Sequence, residues 1–268
     1  MSIIVGERIN STRKRIGEAV RKRNAEHIRK EAVEQVKAGA THVDVNAGTN
    51  PERELDDMLW LIDTVQGAVD VPLSIDSANP AVVEKALSHV KHAPLINSIS
   101  GESNRIEGML AVVAKNGGPV VALCMDDRGL PEDVEGRVNA AREVRCHLND
   151  AGVDDDKIYF DPLLRPVSTN PDQVKCFLEA VRQIRKEFPR THQLCGMSNI
   201  SFGLPNRNNI NRAFMTLALE AGMDSFVLDP TEPGIMANYY ATRAILGCDE
   251  YCMEYITKAR EGAFQEAK

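Results

Sequence analysis

Aromatic side chains are scarce in this 268-residue sequence, which has 5% of them and a single Trp. Stacking platforms for single-stranded nucleic acid rely on such side chains and are therefore not indicated. Positive charge is not in excess either, because 32 basic residues against 39 acidic ones leave a net charge of −7. This balance argues against general binding to nucleic acids or to anionic membranes.

Long apolar runs and closely paired cysteines are also missing. No run approaches the ~20 residues that span a bilayer, and the chain enters a strand-like segment at once, without a charged leader. We therefore expect a cytoplasmic protein. The six cysteines form no Cys-x-x-Cys pair, and Cys248 and Cys252 have no third ligand near them in sequence. A disulfide framework and a metal site are both disfavoured.

Short apolar segments alternate eight times with helical patterns. Their nearly continuous apolar character is typical of strands that are covered on both faces. The predicted strands span residues 2–5, 42–45, 71–75, 94–96, 120–125, 158–160, 193–197 and 225–228. Eight such units, in a chain close to the roughly 250 residues of one barrel, predict a single-domain α/β protein with the (β/α)8 TIM-barrel fold. We expect this domain to fill residues 1–268, with an extra helix around 251–264.

Helix boundaries are marked by three Asn-Pro pairs and three glycines. Asn can cap free backbone amides and Pro suits the first helical position, so each pair is predicted to begin a helix. Gly commonly follows the last residue of a helix. The pairs begin at Asn50, Asn79 and Asn170, and the glycines are Gly39, Gly152 and Gly222.

Polar residues follow every predicted strand, at the end where the active sites of this fold are built. A single Asp or Asn in that position is more often a turn former or a helix cap, as we expect for Asp229 before Pro230. Eight polar strand ends weaken this alternative without removing it. The residues at these ends include Glu7, Asp44, Asn46, Asp76, Asn97, Asp126, Asp127, Asp161, Ser198, Asn199 and Asp229.

No strand end carries His or Lys. Proton transfer led by His, a Ser-His-Asp triad, a His-rich metal centre and a Schiff-base lysine are therefore disfavoured. Carboxylates and primary amides suit a neutral heterocycle rich in N–H donors and ring-nitrogen acceptors. A carboxylate accepts two parallel hydrogen bonds from an amino-amidine edge, while an amide both donates and accepts.

Seven ordered motifs resemble the pterin-binding methyltransferases, which move a methyl group between tetrahydrofolate and a corrinoid. The likeness is strongest to methyltetrahydrofolate:corrinoid protein methyltransferases, and it extends to the folate domain of cobalamin-dependent methionine synthase. It covers essentially the whole chain. The motifs are Gly6-Glu7-Arg8-Ile9-Asn10, Asp44-x-Asn46-x-Gly48, Asp76-Ser77, Ile96-Asn97-Ser98, Asp161-Pro162-Leu163, Gly196-Met197-Ser198-Asn199 and Asn211-Arg212-Ala213-Phe214.

The resemblance implies a pterin ring in the barrel mouth, hydrogen-bonded by Asp76, Asn97 and Asp161. Asn199 would sit near the reactive N5 nitrogen and act in catalysis, without a metal in the protein. The wider folate site would include Glu7, Asn46, Gly196, Ser198 and Arg207. From the sequence alone, Arg207 is either a cation for the folate tail or a solvated loop residue. Phe202 departs from the family pattern, since relatives often carry Gln there, and it removes a possible hydrogen bond close to N5.

The implied reaction is an in-line displacement of methyl between folate N5 and corrinoid cobalt, in either direction, which needs no protein nucleophile. A corrinoid-binding Asp-x-His-x-x-Gly run is missing from the sequence. A separate corrinoid protein is therefore the expected partner, and likeness to the family also implies a homodimer. The basic run at 13–23 either contacts that partner or, as we favour, is a solvated helix face.

Three other interpretations stay open. Dihydropteroate synthase shares the barrel and the pterin pocket, but it would need a basic Ser-x-Arg-Lys-type segment after strand seven. A zinc-dependent corrinoid methyltransferase needs a His-x-Cys set that is missing here. A non-catalytic folate-binding module would leave the same sequence pattern as the enzyme.

Overall fold

Eight parallel strands close into a barrel in the computed structural model, which describes residues 2–48 and 50–264. Each strand pairs with the next one along the chain, and β1 also pairs with β8. The predicted fold class and all eight strands are confirmed. The strands are β1 Ile4–Gly6, β2 His42–Asn46, β3 Leu73–Asp76, β4 Leu95–Ser100, β5 Val120–Leu123, β6 Ile158–Asp161, β7 His192–Gly196 and β8 Ser225–Leu228.

Helices follow the strands and cover the outside of the barrel. Two helices lie between β1 and β2, one lies in each later connection, and two follow β8. They are α1 Lys14–Arg21, α2 Ala25–Lys37, α3 Glu54–Gln66, α4 Pro80–Leu87, α5 Ser103–Asn116, α6 Val134–Asp150, α7 Asp172–Glu187, α8 Arg207–Ala221, α9 Ile235–Ile245 and α10 Met253–Arg260. The last of these lies within the stretch expected to form an extra helix. None of the described helices is long and apolar enough to cross a membrane.

The helix boundaries match the capping signals at most positions. The Asn79 side chain accepts a hydrogen bond from the Ala81 amide at 3.1 Å, and α4 begins at Pro80 as predicted. The prediction for Asn50 is wrong, because its side chain and carbonyl form a separate turn with Glu52 and Arg53, and α3 begins only at Glu54. Gly222 ends α8 with φ of +109°, a conformation that other residues adopt at a cost in free energy.

Side-chain alternation along the strands separates two regions of the core. One set of strand residues faces the helices, as Val43, Ile75 and Ile96 do. The other set fills the barrel interior and includes Val5, Leu95, Val121, Tyr159 and Leu194. Because strand side chains alternate with a period of two, the residue two places after Leu95 or Tyr159 faces the same interior at the strand end. Those residues are Asn97 and Asp161.

Candidate active site

A row of three polar residues crosses neighbouring strands at one level. The strand register pairs Asn46 with Asp76 and Asp76 with Asn97. The Asn46 amide nitrogen donates to an Asp76 carboxylate oxygen at 2.8 Å. The Asn46 carbonyl oxygen accepts hydrogen bonds from Ser11 and Gly48, at 3.4 and 3.1 Å. Both ends of the Asn46 amide are therefore engaged, and Asn46 orients Asp76 rather than facing the mouth freely.

Asp44 lies one pleat below this row and supports it. Its buried carboxylate accepts a hydrogen bond from Ser74 at 2.6 Å and another from the Asn97 side chain. Burial raises the pKa of Asp44 well above its usual value, and the neighbouring charge of Asp76 raises it further. The spacing Asp44-x-Asn46 puts both side chains on one strand face, and this signal could have added Asp44 to the expected site.

Asp76 is held in a similar environment. Burial raises the pKa of its carboxyl group, the Asn46 hydrogen bond opposes this shift, and the charge of Glu54 adds to it. Glu54 itself accepts a hydrogen bond from Ser77 at 2.5 Å. The Ser77 amide donates to the Asn97 carbonyl at 3.0 Å, so the ends of β3 and β4 are fixed to each other. Glu54 could not be predicted from the strand-end motifs, because it lies 23 residues before its partner Ser77.

Asp161 stands at the end of β6, away from this row. Its carboxylate accepts a hydrogen bond from the Leu163 amide at 2.8 Å. Burial raises the pKa of Asp161 to about 7, although the Leu163 amide and the charge of Arg137 act in the opposite direction. Arg137 is fully buried on α6 and donates to Gln173 at 2.7 Å. Asp161 therefore changes protonation state close to neutral pH.

Asn199 lies on a short 3-10 turn, Met197–Ser201, that follows β7 directly. The strand predicted to reach Met197 thus ends one residue earlier. Asn199 is exposed, and its amide has no hydrogen-bond partner among the described residues. Gly196 allows this placement, because a β-carbon there would stand 3.1 Å from the Asn199 amide nitrogen. The Asn199 amide remains available to a ligand in the mouth.

Glu7 closes the mouth on the β1 side. It accepts hydrogen bonds from Ser198 at 2.9 Å and from Arg13 at 2.8 Å. Burial raises the pKa of Glu7, while Ser198 and Arg13 partly offset the shift. Glu7 and Ser198 therefore join the first and seventh strand ends next to Asn199.

Arg207 braces the turn that carries Asn199. It donates to the Ser201 hydroxyl at 2.9 Å and to the Ser198 carbonyl at 2.5 Å. Ser201 in turn donates to the buried Asn211 at 2.7 Å, and Asn211 donates to Glu232 at 3.0 Å. Arg207 thus starts α8 in contact with the turn, while its exposed guanidinium forms no ion pair with the residues that the structure describes. The Ser201–Asn211–Glu232 contacts explain the last of the sequence motifs.

Other polar strand ends have local roles outside this cluster. Asp126 pairs with Arg128 at 2.5 Å, and Asp127 caps α5 through Ser103. Asp229 accepts from the Thr231 amide and hydroxyl, which confirms its role as a turn former. Within residues 2–48 and 50–264, no group of three or more His, Cys, Asp or Glu side chains is placed to hold a metal ion.

The assembled groups can read a flat, nitrogen-rich ring. Asp76 and Asp161 offer carboxylate acceptors, Asn97 offers an amide oriented by Asp44, and Asn199 offers an amide without a protein partner. Such groups bind and orient a heterocycle rather than attack it. The pKa of Asp161, about 7, lets it accept a hydrogen bond when ionised and donate one when protonated.

Comparison with known proteins agrees with this chemistry. Residues 6–229 match the family described as pterin binding enzyme. A methylcorrinoid:tetrahydrofolate methyltransferase of Eubacterium limosum is 37% identical over 262 residues, covering 97% of both chains. A methionine synthase of Mycobacterium tuberculosis is 28% identical over 242 residues, which are 84% of this chain but 20% of that protein.

Solved structures show the same fold. A Yersinia pestis dihydropteroate synthase with a sulfonamide drug complex superposes with a TM-score of 0.69 and 18% identity, covering 92% of this chain and 94% of that one. A second Yersinia pestis structure, of DHPS with a pterine-sulfa conjugate, superposes with a TM-score of 0.70 and 21% identity, and covers the same shares of the two chains. With the matched region spanning β1 to the end of β8, the chain belongs to the pterin-binding enzyme family.

Proposed function

We propose that this protein is a methyltransferase that moves a methyl group between N5 of tetrahydrofolate and the cobalt of a corrinoid carried by a separate protein. The observation that carries the proposal is the combination of oriented acceptors and one unengaged amide in a single mouth. The similarity to the Eubacterium methyltransferase over nearly the full length supports the choice of reaction.

In this proposal Asp76, Asn97 and Asp161 hold the pterin by its amino-amidine edge. Ionised carboxylates accept the N–H donors of that edge, and Asn97 is preset by its bond to Asp44. Glu7, Asn46, Gly196, Ser198 and Arg207 complete the folate site indirectly, because each one positions Asp76 or the turn around Asn199.

Asn199 is the proposed catalytic residue. Its amide hydrogen bonds to N5 while the bond between N5 and methyl forms or breaks, and this contact stabilises the charge that changes on N5. The corrinoid supplies the cobalt that carries the methyl group. The barrel contributes orientation, so no side chain has to become covalently attached to the substrate.

The proposal extends to the partner and the assembly, from the family likeness, and to the compartment, from the sequence. We infer that a corrinoid protein docks over the mouth, that the chain forms a homodimer, and that it works in the cytoplasm as one domain. All six cysteines are free thiols, which agrees with a reducing compartment. Light scattering of the purified protein tests the dimer directly.

The defining experiment mixes the protein with tetrahydrofolate and methylcobalamin and follows both the corrinoid spectrum and 5-methyltetrahydrofolate. We expect demethylation of the corrinoid to match formation of methylfolate one to one. Tight folate binding without transfer from any methylated corrinoid would indicate a binding module instead. Condensation of p-aminobenzoate with a pterin pyrophosphate in a parallel assay would indicate a dihydropteroate synthase.

A further inference from the structure

Two adjoining clefts lie beside α1, next to the β1 end of the mouth. The first has a volume of about 260 Å³ and is lined by Arg8, Arg13, Lys14, Arg15, His27 and Glu31. The second, of about 220 Å³, is lined by Arg15, Glu18, Ala19, Lys22, Asn24 and His27. Because Arg15 and His27 line both, the two clefts adjoin, and we call them together the α1 furrow.

The α1 furrow holds positive charge that the protein itself does not neutralise. Arg8 pairs with Glu31 at 2.6 Å, Arg13 with Glu7 at 2.8 Å, and Lys22 with Glu18 at 2.7 Å. Lys14 and Arg15 are exposed and form no ion pair with any residue that the structure describes. On a chain with a net charge of −7, this is a local concentration of the opposite sign.

The position of these two bases is unfavourable for the helix that carries them. Lys14 and Arg15 occupy the first turn of α1, where the helix dipole already places positive potential. Helix stability therefore does not account for them. An anion in the furrow would remove the repulsion and gain two charged partners.

Two hydrogen bonds link the furrow to the neighbour of the proposed catalytic residue. Arg13, which lines it, donates to Glu7, and Glu7 accepts from Ser198, the neighbour of Asn199 in sequence. In the proposed function the pterin edge faces β3, β4 and β6, and N5 faces β7. Ring carbon C6, which carries the folate tail, is bonded to N5, so the tail begins on the β7 side of the ring, where β8 and then β1 are the next strands of the barrel.

We propose that the α1 furrow binds the glutamate tail of the folate substrate, with Lys14 and Arg15 pairing with its carboxylates and favouring folates that carry several glutamates. This inference rests on the proposed function and adds a tail-binding site to it. It also adds a second site for the tail beside Arg207, whose guanidinium contacts Ser201 and Ser198.

The test compares the dissociation constants of tetrahydrofolate monoglutamate and triglutamate by calorimetry. We expect the triglutamate to bind the native protein on the order of 10-fold more tightly, as for two or three partly exposed ion pairs. In a Lys14→Gln/Arg15→Gln variant this difference disappears, while monoglutamate affinity changes little. A Lys115→Gln/Lys175→Gln control removes two exposed charges elsewhere and keeps the preference.

Equal affinity for the two folates in the native protein would overturn the inference, as would a preference that persists in the Lys14→Gln/Arg15→Gln variant. A variant that keeps the preference but needs more corrinoid protein for half-maximal rate would assign the furrow to that partner instead. Circular dichroism confirms that each variant is folded. If folded native protein binds neither folate, the proposed function fails too, whereas tight monoglutamate binding without a tail effect rejects the furrow alone.

Discussion

Asn199 and Asn46 are the same residue type in one mouth, but the fold uses them differently. The Asn46 side-chain amide is hydrogen-bonded to Asp76, Gly48 and Ser11. Asn199 keeps its amide free of partners among the described residues, on a turn that Gly196 lets come close. A side chain already satisfied by the protein sets geometry, whereas an unsatisfied one has hydrogen bonds to give to a substrate.

Replacing Asn199 with Ala should therefore separate rate from affinity. We expect the methyl-transfer rate to fall about 100-fold, as when one donor to a developing charge is removed. The folate dissociation constant should change by less than about 3-fold, because the pterin edge contacts remain. Single-turnover kinetics and calorimetry measure the two quantities. The exposed Asn209→Ala serves as control, and equal losses in rate and affinity would contradict the catalytic role.

Asp161 should make folate binding depend on pH. Its pKa of about 7 in the free site means that the carboxylate is protonated below that value and must ionise to accept the pterin N–H groups. Affinity should fall as pH drops below 7, with a limit of about 10-fold per unit. Calorimetry at pH 6, 7 and 8 tests this expectation. The Asp161→Asn variant should bind folate more weakly at pH 8, and its folate affinity should no longer depend on pH. A native folate affinity that stays constant from pH 6 to pH 8 would contradict this role of Asp161.

The same shift has a consequence for stability in the absence of folate. Because the pKa of Asp161 is raised from 3.8 to about 7, the folded state holds the proton more tightly than the unfolded chain does. The contribution of Asp161 to the free energy of unfolding is then fully present below about pH 4. It is lost as pH rises through 7.

At the scale of elements, the connection from β7 to α8 is built as one unit. The turn Met197–Ser201 is tied to α8 by Arg207 and Asn211, and to the segment after β8 by Glu232. Ser201 links the two helix residues, because its hydroxyl donates to Asn211 and accepts from Arg207. The position of Asn199 therefore depends on α8 as well as on the strand that precedes the turn.

Truncating Asn211 should loosen this unit. We expect Asn211→Ala to lower the free energy of unfolding by ~1–3 kcal/mol, since the half-buried Glu232 carboxylate and the buried Ser201 hydroxyl lose their partner. Methyl transfer should slow while folate affinity is largely kept. Urea denaturation and single-turnover rates give the two values, with Asn209→Ala on the same helix as control. An unchanged rate would show that the turn holds its geometry without this brace.

The elements were largely predictable from the sequence because apolar runs and caps are local signals. All eight strands appear, and α4 starts at its Asn-Pro pair. The failures occur where tertiary contacts decide. The prediction carried β7 through Met197, but the turn held by Arg207 ends the strand at Gly196. The Asn50 pair closes its own turn, so α3 starts three residues later than the pair suggests.

At the scale of the whole molecule, the two ends of the barrel do different work. The active site lies where the strands end. The opposite end carries an ion cluster in which the Asp224 carboxylate accepts from Arg185 at 2.7 Å and from His192 at 2.9 Å. This arrangement joins α7, β7 and the start of β8 far along the strands from the mouth, as expected for residues that serve stability.

Asp224→Asn should consequently reduce stability without affecting turnover. Burial alone would raise the pKa of Asp224, but His192 and Arg185 outweigh it and lower the pKa below its ordinary value. The stabilisation is therefore present at neutral pH and lost as pH falls below about 4. We expect the variant to lose about 2 kcal/mol at pH 7, with normal methyl transfer at 25 °C. Thermal denaturation from pH 3 to 7 measures this loss.

The exposed Asp172→Asn on α7 is the matched control and should change little. A constant stability difference between Asp224→Asn and the native protein across that pH range would contradict the electrostatic explanation. A strong loss of methyl transfer in a folded Asp224→Asn protein would show that the two ends of the barrel are coupled.

The site was predictable only in part, because its residues are held by partners that are distant along the chain. Residues at strand ends could be listed because the topology brings those ends together. Which of them turn inwards, and what holds them, depends on partners far away in sequence. Ser198 meets Glu7 across 191 positions, and Asp44 gains its raised pKa from burial that no local pattern reports.

The pairing of β1 with β8 has a consequence for how the protein is made. The first strand is complete by residue 6, yet the amide of Ile3, just before it, donates to the Ser225 hydroxyl 222 positions away. A ribosome must therefore deliver more than four fifths of the chain before that strand finds its second neighbour. An mRNA truncated before the codons for β8 yields a chain in which β1 lacks its second neighbouring strand and the barrel cannot close.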